Sequence, residues 1–248
     1  MLEDKINPDT LNMKDYVGVN LDMKELTGKP HKFFYRENLY RNDEELRGWI
    51  DDTWSFLKQK DEKAKELIPG NAIKYTHDNA AAMQAFQHSY NFFGFYNEKM
   101  HEVLESIRDL AKEACDYYEI DYKRHKYYIH AWINYTHGPR IHRDDQISYD
   151  DHGSNPFEFH GYYAVDAEPG HTMYKVDNGE LFPWENKNGS VMLTMNGYHH
   201  GVGSWPFEKP RITIAYNIHP LKWVPQDKGD RKSTRLNSSH EWISRMPS

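Results

Sequence analysis

Arg211-Ile212-Thr213-Ile214-Ala215-Tyr216-Asn217-Ile218 alternates small or polar residues with large apolar ones, without a break. On an extended chain successive side chains point to opposite faces. Ile212, Ile214, Tyr216 and Ile218 therefore share one face, and Arg211, Thr213, Ala215 and Asn217 share the other. The pattern predicts a strand with one buried apolar face and a second face that carries an Arg beside a Thr. A guanidinium offers a planar fork of donors and a hydroxyl adds another, so this pair suits a carboxylate. An Arg at a solvated sheet edge is the plainer reading of the same residues.

Other stretches of the same texture lie upstream. Tyr127-Tyr128-Ile129-His130-Ala131-Trp132-Ile133-Asn134-Tyr135 is aromatic and β-branched. Gly161 to Val165, Thr172 to Val176 and Val191 to Met195 are shorter candidates, separated by Gly, Pro, Asn and Asp. Short strands at such spacing predict a β-sandwich or barrel. The chain before residue 122 reads differently. From about Asn97 to Tyr118 the apolar positions Met100, Val103, Leu104, Ile107, Leu110, Ala111, Ala114, Cys115 and Tyr118 form one stripe, which predicts a helix packed on a sheet. Cys115 lies on the stripe, as a buried inert thiol would. Asn42 or Asp43 can cap an earlier helix carrying Leu46, Trp49, Ile50, Thr53, Trp54 and Leu57. The first 40 residues read as loops and short elements. The fold class expected is mainly β with N-terminal helices (α+β), as one domain over 1–226. Its helical part is 1–122 and its β core 123–226. The Ser-rich, polar tail 227–248 reads as disordered, and 233–248 looks like translated adapter read-through rather than native sequence.

Composition narrows the function. The chain has 248 residues and a formal charge of −7, which disfavours non-specific nucleic-acid binding. Fifteen per cent of residues are aromatic, which suits strands and an aromatic-lined pocket. The one cysteine rules out an intramolecular disulfide and fits a cytoplasmic setting. Met1 to Thr10 lacks the apolar core of a signal peptide, and no apolar run reaches bilayer length.

His142-Arg143-Asp144 places two metal-ligand side chains two residues apart, on one face of an extended chain. Alone this is weak, because a chain with 15 His produces such pairs by chance. A second imidazole is available in Asn196-Gly197-Tyr198-His199-His200-Gly201-Val202. His200 is favoured and His199 is the alternative. Two His and one carboxylate hold one face of a metal and leave the other open, as in non-haem Fe(II) oxygenases.

His142-x-Asp144, His200 and Arg211-x-Thr213, in that order, resemble the 2-oxoglutarate/Fe(II)-dependent dioxygenases, prolyl-hydroxylase-like branch. Tyr135-Thr136-His137-Gly138, Gly161-Tyr162-Tyr163-Ala164-Val165 and Gly170-His171-Thr172-Met173-Tyr174 are similar to further elements of that branch. In the last of these His171 stands where the branch has a second Gly. The likeness covers about residues 125 to 220. It implies a double-stranded β-helix (a jelly-roll, cupin-like) with helices packed on one sheet. It implies Fe(II) held by His142, Asp144 and His200, with 2-oxoglutarate and O2 as co-substrates. Arg211 and Thr213 would hold the far carboxylate of 2-oxoglutarate, and Tyr135 would touch the same co-substrate. The implied reaction decarboxylates 2-oxoglutarate to succinate and CO2 and hydroxylates a small molecule or a protein side chain.

Several neighbouring residues carry subsidiary expectations. Asp145 and Asn196 are near enough to support a ligand His. Trp205-Pro206-Phe207 would wall the substrate mouth or form a turn with buried aromatics. The polar loop from Gln146 to Phe159 would cover substrate or lie on the surface. His152, His160 and His171 lack a comparable spacing. Two other functions compete: a cupin-type metal enzyme that does not use 2-oxoglutarate, and a non-catalytic jelly-roll binding module.

Overall fold

The computed structural model describes residues 28–67, 90–120, 127–139, 158–175, 181–195 and 199–220. The elements in order are β1 (Phe33–Arg36), α1 (Glu44–Leu67), a short 3-10 turn (Phe92–Gly94), α2 (Glu98–Tyr117), β2 (Tyr127–Thr136), β3 (Phe159–Asp166), β4 (His171–Lys175), β5 (Leu181–Glu185), β6 (Ser190–Met195), β7 (His199–Val202) and β8 (Arg211–Pro220). Both helices start where capping chemistry places them. The Asp43 carboxylate accepts from the Leu46 amide at 2.8 Å. The Asn97 side chain accepts from the Met100 amide at 3.0 Å, a cap that contributes about 1 kcal/mol. Among the described residues no helix is long and apolar enough to cross a membrane.

The strands form two antiparallel sheets. The larger has the order β1-β6-β3-β8-β2, the smaller β5-β4-β7. The period-2 pattern decides which side chains meet which layer. Phe159, Tyr163, Val191, Leu193, Ile212, Ile214, Tyr216 and Ile218 share one core cluster with Met100, Val103, Ile107, Leu110, Ala114 and Cys115 of α2. The alternate residues Tyr162, Ala164 and Met192 cluster instead with Tyr174 of the smaller sheet. The larger sheet is thus covered by helix on one face and by the smaller sheet on the other. Burial pushes the Cys115 thiol up to about 12, so it stays a protonated core residue.

Two features differ from the sequence reading. Phe33–Arg36, inside the stretch expected to be helical or loop, is an edge strand paired with β6. Leu181–Glu185 and His199–Val202 are also strands that the sequence pattern did not single out. Pro183 sits in β5, which pairs only with β4, and an edge strand is where a residue without an N–H is tolerated.

Gly161 shows how closely the β3 backbone is approached. A Cβ there would lie 2.0 Å from the Met192 carbonyl oxygen and 2.7 Å from the Tyr216 hydroxyl. That hydroxyl donates to the same carbonyl at 2.7 Å. Gly161→Ala must therefore push backbone aside, and we expect a loss of about 3 kcal/mol in denaturant unfolding. An unchanged midpoint would mean that the phenol lies elsewhere.

Candidate functional site

The inward face of β8 carries Arg211 and Thr213, 3% and 2% exposed. Thr213 lies opposite Ala164 of β3, and Ala215 lies opposite Tyr162. The small side chains of Ala164 and Ala215 leave the Arg211 side chain room between the sheets. Burial lowers the Arg211 pKa, and the ionisable groups that act on it are the phenols of Tyr162 and Tyr174 rather than a carboxylate. Among the described residues its Nε has no hydrogen-bond partner. An uncompensated buried charge costs about 3–5 kcal/mol. A fold that retains one has an anion to offer it.

Around Arg211 lies a polar network that the sequence did not announce. The Tyr162 hydroxyl donates to Asn186 Oδ1 at 2.6 Å. The Thr172 hydroxyl donates to the same oxygen at 3.2 Å. Asn186 is 2% exposed, and among the described residues its Nδ2 makes no hydrogen bond. Burial pushes the Tyr162 phenol up to about 12, against the opposing hydrogen bond from Thr172 and the charge of Arg211. Burial also holds Tyr174 well above the usual phenol value. Both phenols are neutral at physiological pH, so neither supplies Arg211 with a counter-charge. The interior offers unspent donors and no anion.

His200 enters from the smaller sheet. It is the cross-strand partner of Tyr174, while His199 pairs with Lys175 on the other face. Lys175 is exposed, so alternation directs His200 inward with Tyr174 and His199 away from them. The His200 ring lies 5.5 Å from the Tyr174 ring and 4.5 Å from that of His160, with an interplanar angle of 7° in the second pair. His160 is 3% exposed and belongs to β3, in the opposite sheet. Its spacing did not single it out; only the pairing of strands brings it to His200.

The remaining expected residues divide. His142 and Asp144 lie outside the described residues, as do Asp145, His152 and Asn196. Among the described residues no three His, Cys, Asp or Glu side chains gather as a metal-binding group. Tyr135 is not brought to Arg211. It lies opposite Ile212, on the helix side of the sheet, and stacks on Trp54 of α1 at 5.5 Å and 3°. The one-residue offset from Asn134, which lies opposite Thr213, sends it to the wrong face for the expected co-substrate contact. Trp205 is fully buried and donates its Nε1–H to the Lys209 carbonyl at 2.8 Å. It closes the turn before β8 rather than walling a mouth. His171 is separated from Tyr174 by the same alternation and shares the face of Lys175.

No family model matches the sequence, and no curated protein matches it. Solved structures similar to the chain are 2OG-Fe(II) oxygenases. One is an oxidoreductase of that family from Burkholderia pseudomallei, 15% identical over 50% of this chain, with a TM-score of 0.37. This chain covers 58% of the Burkholderia protein's length. A prolyl-4-hydroxylase from Pseudomonas putida is 10% identical over 79% of this chain and 98% of its own, with a TM-score of 0.39. HygX from Streptomyces hygroscopicus, solved with nickel and 2-oxoglutarate bound, is 14% identical over 87% of this chain and 88% of its own, with a TM-score of 0.33.

Proposed function

We propose that this protein is a 2-oxoglutarate- and Fe(II)-dependent dioxygenase that hydroxylates a small molecule or a protein side chain. The observation that carries the reading is Arg211, a buried guanidinium without a carboxylate among the described residues, beside Thr213 and in the same interior as His200. A cupin-type enzyme without 2-oxoglutarate has no use for this arrangement.

The two sheets then read as the halves of a double-stranded β-helix. Among the described residues β7 stands at the edge of the smaller sheet, and the segment with His142 and Asp144 follows β2 in the chain. Our reading sets that segment beside β7, so that His142, Asp144 and His200 together hold Fe(II). Bound Fe(II), with 2-oxoglutarate and O2, would supply the oxidising power, with release of succinate and CO2. The chain's own residues bind and orient. Arg211 forks the far carboxylate and Thr213 adds a hydroxyl. Asn186 fixes the Tyr162 phenol next to them through the 2.6 Å hydrogen bond. With Arg211, Thr213 and Tyr162 at 3%, 2% and 7% exposure, the carboxylate end is dry, and its hydrogen bonds are stronger than in water.

The test is an anaerobic titration of the full chain with Fe(II) and 2-oxoglutarate. We expect a metal-to-ligand charge-transfer band that saturates at one equivalent of each. Iron bound without the band would favour the cupin-type enzyme. No iron bound would leave a binding module.

A further inference from the structure

His160 has no part in the reading above, yet it makes the closest aromatic contact of the inward-facing imidazole. We propose that His160 is a positioning residue for His200, fixing the plane of its ring from the opposite sheet. The proposal rests on the reading of His200 as a metal ligand.

The position of His160 is set by the larger sheet. It pairs with Thr194 of β6 and with Asn217 of β8, so strands on both sides hold its backbone. Its side chain is 3% exposed. His200 comes from β7, an edge of the smaller sheet among the described residues. Its ring hangs on a torsion that is intrinsically broad. Tyr174, its partner across the strand pair, meets it at 29°. His160 meets it at 7° with centroids 4.5 Å apart. Tyr174 also spans the gap to His160, at 6.2 Å and 26°. Three near-parallel rings from two sheets thus confine one imidazole.

The same geometry argues against His160 as a further ligand. Imidazoles that share a cation turn their ring edges toward one point. Two rings within 7° of parallel project their nitrogens side by side instead. The face of His160, not its nitrogens, is what His200 meets. Residues that orient a ligand without touching the metal commonly change metal affinity by about 10- to 100-fold when replaced.

The test compares His160→Phe, which keeps a flat ring, with His160→Leu, which fills space without one. Anaerobic Fe(II) affinity is measured by equilibrium dialysis on the full chain, and the charge-transfer band is recorded with 2-oxoglutarate added. We expect His160→Phe to bind Fe(II) within about two-fold of wild type, and His160→Leu to bind about ten-fold more weakly with a displaced band. Equal affinity and an unchanged band in all three proteins would overturn the proposal. So would His160→Phe as weak as His160→Leu, which would mean that the nitrogens matter and the ring plane does not. Wild type that binds no Fe(II) would overturn the metal reading itself, and this proposal with it.

Discussion

Arg211→Met should weaken 2-oxoglutarate binding by on the order of 100- to 1,000-fold while leaving Fe(II) affinity unchanged. The magnitude follows from removing one partner of a buried charge pair, about 3–5 kcal/mol, at about 1.4 kcal/mol per factor of ten. Met has similar length and no charge, so it fills the space between the sheets without leaving a cavity. A second effect accompanies the first. Without an anion, the buried guanidinium of the wild type is a cost to the fold, since burial lowers its pKa and no carboxylate among the described residues offsets it. Arg211→Met should therefore raise the thermal midpoint of the ligand-free protein while it loses the co-substrate, the trade expected where function requires strain. Arg211→Lys keeps the charge but not the fork, and should recover only part of the affinity. Isothermal titration with 2-oxoglutarate in the presence of Fe(II) reads all three. Wild-type affinity in Arg211→Met would remove Arg211 from the site.

His200→Ala should lose Fe(II) binding by more than about 100-fold, whereas His199→Ala should bind as wild type does. A ligand His contributes directly what orienting residues contribute only through it, so its loss exceeds their usual 10- to 100-fold range. The two residues are adjacent and chemically identical, so only the face decides between them. His200 shares its face with the fully buried Tyr174. His199 shares its face with the exposed Lys175. The reverse result, with His199→Ala silent in iron and His200→Ala normal, would exchange their roles and require β7 to slip by one residue.

How far the sequence could be read depended on how local the signal was. The α2 stripe needs only the 3.6-residue period, and the helix runs within a residue of where that period places it, capped by Asn97. β2, β3, β4, β6 and β8 were visible as alternating or apolar runs. β1, β5 and β7 were not. They have four, five and four residues, and β5 and β7 contain a Pro and a Gly. Such segments become strands because a neighbour supplies their hydrogen bonds, a fact no window of a few residues contains.

The candidate site divides in the same way. Arg211 and Thr213 were legible because their own strand's alternation puts them on one face. Tyr135 was misplaced because its face depends on register with β8, where it meets Ile212 rather than Arg211. Tyr162, Asn186 and His160 carried no signal in spacing, since each reaches the interior only through strand pairing.

The amino-acid sequence by itself determined the elements with a sustained period, the polar character of one β8 face and the order of His142, Asp144, His200 and Arg211. These depend on covalent neighbours and on the fixed geometry of helix and strand. Only the tertiary structure decided which faces look at each other. It set His160 against His200 from opposite sheets, left Arg211 buried beside two neutral phenols, and turned Tyr135 toward α1. Those outcomes depend on register and on the packing of two sheets. A shift of one residue there reverses every side chain without changing a letter of the sequence.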